Sequence, residues 1–118
     1  MKIAKIMLIS LVVLGLAVTF SFAAGDAAKG KALFNDPKFA GGSKACSACH
    51  PNGKGLEKAG EKKEFQIMGG AQKSLEEAVN ACIVGANKGK AIDVKSPQMQ
   101  DMVAYIKSLK GKKPASGY

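Results

Sequence analysis

Cys46-Ser47-Ala48-Cys49-His50 is a C-x-x-C-H pentapeptide, and it holds the only histidine of the 118-residue chain. That spacing reads as a c-type haem attachment site. Two thiols three residues apart on a helical turn each reach one vinyl group of the same porphyrin. The residue after the second thiol sets an imidazole nitrogen under the iron. Haem iron takes a strong axial base, and histidine is the usual proximal one. A single histidine excludes bis-histidine ligation and any haem b site that relies on a second histidine. The motif predicts one haem c, held covalently by Cys46 and Cys49, with His50 as the proximal iron ligand.

The N-terminus agrees on compartment. Met1-Lys2-Ile3-Ala4-Lys5 is a short basic segment, and the run from Ile6 to Phe20 is almost wholly apolar. Ser21-Phe22-Ala23 closes it with small residues at the two positions a signal peptidase reads. Residues 1–23 are expected to be a signal peptide cleaved after Ala23, which makes the protein periplasmic. The alternative is an uncleaved anchor, because the apolar run approaches the ~18–20 residues needed to span a bilayer. Membrane contact is expected only in that case.

Removing 23 residues from 118 leaves 95, which is one domain. Residues 24–110 are expected to form it, and 111–118 a flexible lysine-containing tail. A chain this short buries its core poorly. With no Trp, a haem would be its main aromatic body.

Every basic residue other than the histidine is lysine. Without Lys2 and Lys5, sixteen lysines face nine carboxylates, a balance of about +7. Such a surface suits acidic redox partner proteins or an anionic membrane surface. The plainer reading is a solvated face. Nucleic acid is a poor partner, since arginine is absent, no aromatics interleave the lysines, and the chain carries an export signal. Cys82 is left over once Cys46 and Cys49 are used, a lone thiol in an oxidising compartment.

Three helices are legible around the motif. Asp26 caps the first, which runs to about Phe34 and ends at Asn35-Asp36-Pro37. Gly30 and Phe34 share one of its faces. Ser74-Leu75-Glu76-Glu77 is a capping box that opens a helix from Leu75 to about Val84, with Gly85 as its stop. Ser96-Pro97 opens the last helix, whose apolar stripe is Met99, Met102, Val103, Ile106 and Leu109 or Lys110, stopped by Gly111. Pro51 to Gly70 reads as a loop with one short helical turn near Glu61 to Phe65. No strand alternation stands out, so the expected class is all-α, three to four helices around one haem.

These residues resemble a class I c-type cytochrome over Asp26 to about Leu109. Gly30-Lys31-Ala32-Leu33-Phe34 resembles the family's N-terminal helix, Cys46 to His50 its haem motif, and Met102 to Leu109 its C-terminal helix. The resemblance implies a close crossing of first and last helices at Gly30, with Tyr105 packed on Phe34. It also implies a methionine as sixth ligand in the loop before the last helix. That loop, Gly85 to Lys95, has none. The candidates for the distal iron position are Cys82, Met99 and Met68. Met102 is set aside because it falls at a packing position of the crossing.

Leu75 to Leu109 is also similar to the haem domains of sulfur-oxidising cytochromes such as thiosulfate dehydrogenase. The shared features are Cys82 on a helix, Gly89-Lys90, and Ser96-Pro97-Gln98-Met99. In those relatives the cysteine ligates iron. Cys82 on an apolar helix face equally fits a small buried hydrophobe, and Met99 a core filler. A zinc site from Cys46, Cys49, His50 and Cys82 is disfavoured, because adjacent Cys49 and His50 share a tetrahedron awkwardly. No carboxylate pair stands out for acid–base catalysis. The expected function is single-electron transfer by a monohaem cytochrome that is not itself an enzyme. The alternative is a haem enzyme, or the haem subunit of one, acting on sulfur compounds such as thiosulfate.

Overall fold

The computed structural model describes residues 25–112, so the expected signal peptide, 1–23, and residues 113–118 of the expected tail, 111–118, lie outside the described residues. Three α-helices carry the core: α1 (Ala27–Phe34), α2 (Leu75–Gly85) and α3 (Pro97–Ser108). Single 3-10 turns stand at Phe39–Gly41, Cys46–Ala48, Pro51–Gly53 and Ala59–Glu61.

α1 starts where Asp26 places it. The Asp26 carboxylate accepts from the N–H groups of Ala28 at 2.9 Å and Lys29 at 3.2 Å, which satisfies donors a helix start leaves unpaired. The Asp26 N–H donates to Asp101 Oδ1 at 2.7 Å and ties the start of α1 to α3. The two helices cross at Gly30. A Cβ there would stand 2.6 Å from the Asp101 carbonyl carbon and 2.8 Å from Tyr105 Cβ, and closer still to the Asp101 carbonyl oxygen. One turn on, the Phe34 and Tyr105 rings meet edge to face with centroids 5.1 Å apart. Such a pair contributes ~0.5–1.5 kcal/mol beyond its burial.

In α2 the Ser74 hydroxyl accepts from the Glu77 N–H at 3.1 Å. Glu77 returns to the Lys73 N–H at 2.8 Å, one residue before the cap. The box therefore closes one position earlier than the usual pattern. Gly85 does not stop the helix, contrary to expectation. It is the last helical residue, with Ala86 as C-cap and Lys88 taking the left-handed φ of +61°. Its missing side chain is used laterally, because the Met68 sulfur occupies the place a Cβ would take. Beyond α2, Asn80 staples the following loop: its Nδ2 donates to the Ile92 carbonyl at 2.8 Å and its Oδ1 accepts from the Ile92 N–H at 2.9 Å.

α3 opens on Ser96, whose hydroxyl accepts from the Met99 N–H at 3.2 Å, with Pro97 in the first turn. Met99, Met102, Val103, Ile106 and Leu109 are all buried, while Lys110 is exposed.

The all-α expectation needs one correction. Phe65–Ile67 (β1) and Gly70–Gln72 (β2) form an antiparallel hairpin, pairing Phe65 with Gln72 and Ile67 with Gly70. Its turn residues Met68 and Gly69 have φ of +51° and +79°, the mirror-image turn that matches strand twist. Strands of three residues are too short to show alternation. The helical turn expected at Glu61 to Phe65 stands instead at Ala59–Glu61, since Phe65 already belongs to β1.

Candidate functional site

The haem motif is one tight turn. The N–H groups of Cys49 and His50 both donate to the Cys46 carbonyl, at 3.2 and 3.0 Å. This places the Cys46, Cys49 and His50 side chains around a common turn. All three cysteines are free thiols. Cys46 is half-buried and packs against the core, whereas Cys49 is exposed.

His50 is held in a definite orientation. Its Nδ1 lies 3.0 Å from the Lys54 carbonyl oxygen. A carbonyl oxygen only accepts, so Nδ1 carries the proton. That contact leaves Nε2 as the ring nitrogen available to a metal. A backbone carbonyl on the second nitrogen is the usual way a ligating histidine is oriented.

His50 and Cys46 open into a cavity of about 1370 Å³. This exceeds the ~300–1,000 Å³ typical of small-molecule sites. Phe34 of α1, Leu75 and Val79 of α2, Met102 and Ile106 of α3, and Phe65 and Ile67 of β1 supply apolar walls. Loop residues Leu56 and Ala59 add to them. The rim carries Lys54, Lys58, Lys62, Lys110 and Lys112 against Glu57, Glu61 and Glu64. Glu61 and Lys110 pair at 2.6 Å, and that contact holds the Glu61 carboxyl below the usual carboxylate range.

These features fit a covalently held haem. The cavity is large and apolar, and His50 and Cys46 line it, whereas Cys49 stands exposed on the same turn and does not line it. Among the described residues, no three His, Cys, Asp or Glu side chains gather as ligands of a bare metal ion.

The candidates for the second axial position are placed differently. Cys82, Met68 and Met102 line the cavity. Met99 does not line it: it is wholly buried in the core of α3 and its neighbours. Met68 is 70% exposed, on the hairpin tip. Burial pushes the Cys82 thiol above its ordinary pKa, and the Cys46 and Cys49 thiols add in the same direction. Burial likewise raises the Cys46 thiol, against a hydrogen bond from Asn87 that lowers it.

Sequence reasoning singled out neither Asn80 nor Asn87. Their partners lie 12 and 41 residues away, and no local pattern marks an asparagine as a long-range staple.

A family model described as SoxA/TsdA, cytochrome c domain, matches residues 29–113. No curated protein and no solved structure gives a match.

Proposed function

Since this chain belongs to the SoxA/TsdA cytochrome c domain family, a set of c-type cytochromes related to sulfur-oxidising ones, we propose that it is an exported, periplasmic monohaem carrier of single electrons. The observation that carries this reading is His50. Its Nδ1 proton is committed to Lys54 and its ring opens with Cys46 into a large apolar cavity. Haem c, when bound, supplies the one-electron ferric–ferrous couple. Cys46 and Cys49 would hold it, His50 would ligate its iron, and the apolar side chains of α2 and α3 that line the cavity would keep water away.

Cys82 is our choice for the opposite side, with Met68 behind it. Cys82 sits on a rigid helix facing the cavity, whereas Met68 rides on an exposed hairpin tip. A thiol that coordinates a metal does so as thiolate, its proton lost to solvent. A thiolate donates electron density and favours ferric iron, while methionine raises the potential. Cys82→Ala is therefore expected to raise the midpoint potential on the order of 0.1–0.3 V, within the ~0.8 V that axial ligands span. It is also expected to open the iron to carbon monoxide. Redox titration and carbon monoxide difference spectra check this. An unchanged potential in Cys82→Ala, with the shift appearing in Met68→Ala, would assign the ligand to Met68.

The lysine rim suits an acidic redox partner, met in a small and transient contact. Electron transfer to such a partner is expected to slow about tenfold as salt rises from low to physiological strength, where charge reaches only ~8 Å. Stopped-flow rates at several salt concentrations test it. A rate indifferent to salt would leave the lysines as solubilising groups.

A second reading is the haem subunit of an enzyme acting on sulfur compounds. Two observations favour it: the family match, and the Cys82 thiol in the same cavity as His50. Turnover of thiosulfate with an artificial electron acceptor separates the two. The carrier reading expects no turnover by the isolated chain.

A further inference from the structure

Asn87 is the one buried polar residue among the described residues, at 6% exposure. A buried amide is costly unless its polar groups are paired, and three of those on Asn87 are. Its backbone N–H donates to the Cys82 carbonyl at 3.0 Å. Its backbone carbonyl accepts from the Ser43 N–H at 2.8 Å. Its side-chain Nδ2 donates to Cys46 Sγ at 3.3 Å. One residue thus joins the end of α2, the segment leading into the haem motif, and the first sulfur of that motif. The approach is close: a Cβ on Gly42 would stand 2.9 Å from the Asn87 carbonyl oxygen.

We propose that Asn87 is a positioning residue that aims the Cys46 sulfur into the cavity for attachment of haem. This rests on the haem reading above. Attachment adds the Cys46 S–H across a vinyl C=C bond. Sulfur bonds to one vinyl carbon, the thiol hydrogen passes to the other, the π bond is lost, and no electron enters or leaves. The step needs the sulfur pointed at one face of the ring. A donor anchored at both of its own backbone groups holds the Cys46 rotamer there. A thioether sulfur still accepts a hydrogen bond, so the contact survives the reaction. Cys49 is exposed and has no such partner among the described residues, so the two attachments depend on Asn87 unequally.

The test compares wild type, Asn87→Leu, Asn87→Ala and Asn80→Ala, each produced with haem-attachment machinery. Leucine keeps the approximate shape of asparagine without a donor, and alanine serves if leucine does not fit. Asn80→Ala removes the Ile92 staple from α2 without touching Cys46, and so reports general loosening. The proteins are denatured, alkylated at free thiols and weighed. Wild type is expected to carry haem and one alkylated thiol, at Cys82. Both Asn87 variants are expected to show a roughly two- to tenfold larger share of haem-bearing chains with a second alkylated thiol, mapped to Cys46. Their reduced α band should move to longer wavelength, because one vinyl group stays conjugated. Asn80→Ala should keep Cys46 linked. Fully linked Cys46 with a wild-type band in the Asn87 variants would overturn the inference, as would equal loss of the Cys46 link in Asn80→Ala. A wild-type chain that takes up no haem would instead bring down the haem reading, and the inference with it.

Discussion

Gly30→Ala is expected to lower the thermal midpoint of the haem-loaded protein by roughly 12–24 °C. Helix propensity alone points the other way, since alanine is about 1 kcal/mol better than glycine inside a helix. Packing decides the sign. The added Cβ would run into the Asp101 carbonyl and stand 2.8 Å from Tyr105 Cβ. The Asp101 carbonyl is part of the α3 backbone, so the clash is relieved only by moving helices apart. That separation also loosens the Phe34–Tyr105 ring pair and the Asp26–Asp101 tie. Overpacking of this kind costs about 1–3 kcal/mol. The lost contacts bring the total to ~3 kcal/mol, and a domain of this size loses about 4–8 °C per kcal/mol. Scanning calorimetry or thermal circular dichroism checks it, with Ala28→Gly as a control at an exposed position of the same helix. A midpoint that rises in Gly30→Ala would mean that the crossing is looser than described.

Replacing both Cys46 and Cys49 by alanine is expected to abolish covalent haem and to cut the yield of folded protein about tenfold or more. The cavity of about 1370 Å³ runs through the middle of the apolar side chains, between α2, α3 and β1. Leu75, Val79 and Ile106 would face that space with no partner on the far side, and unfilled volume costs stability in proportion to its size. A short chain has little other burial to offset the loss. Mass spectrometry and far-ultraviolet circular dichroism of the purified double variant measure both effects. Cys82→Ala, purified in parallel, should retain covalent haem. Helical, stable double-variant protein at wild-type yield would show that the core closes without haem.

The parts of this fold that local chemistry controls were readable from the residues. Asp26, Ser74 and Ser96 mark the helix starts because capping is a contact within three residues. Gly30, Phe34 and Tyr105 were placed at the crossing by resemblance to the class I cytochromes, and the geometry bears that out. The hairpin was not readable. Its strands have three residues each, and its turn places Met68, not asparagine or glycine, at a positive φ. Gly85 looked like a helix stop because glycine usually is one, but lateral packing of Met68 claims it. At the site, the motif residues Cys46 and His50 share a cavity with Cys82, a grouping suggested by spacing and resemblance. The seclusion of Met99 follows from which side of α3 faces the cavity, and a stripe of apolar residues does not reveal that. Asn87 was invisible because its partner Cys46 is brought close only by the folded chain.

The central claim is that this chain holds one haem through Cys46 and Cys49. The direct measurement is the intact mass of the denatured protein made in a host with working haem-attachment machinery. A single species at the mass of the chain plus one haem is the predicted result. An unmodified mass, or a mass with haem that is lost on denaturation, would contradict it.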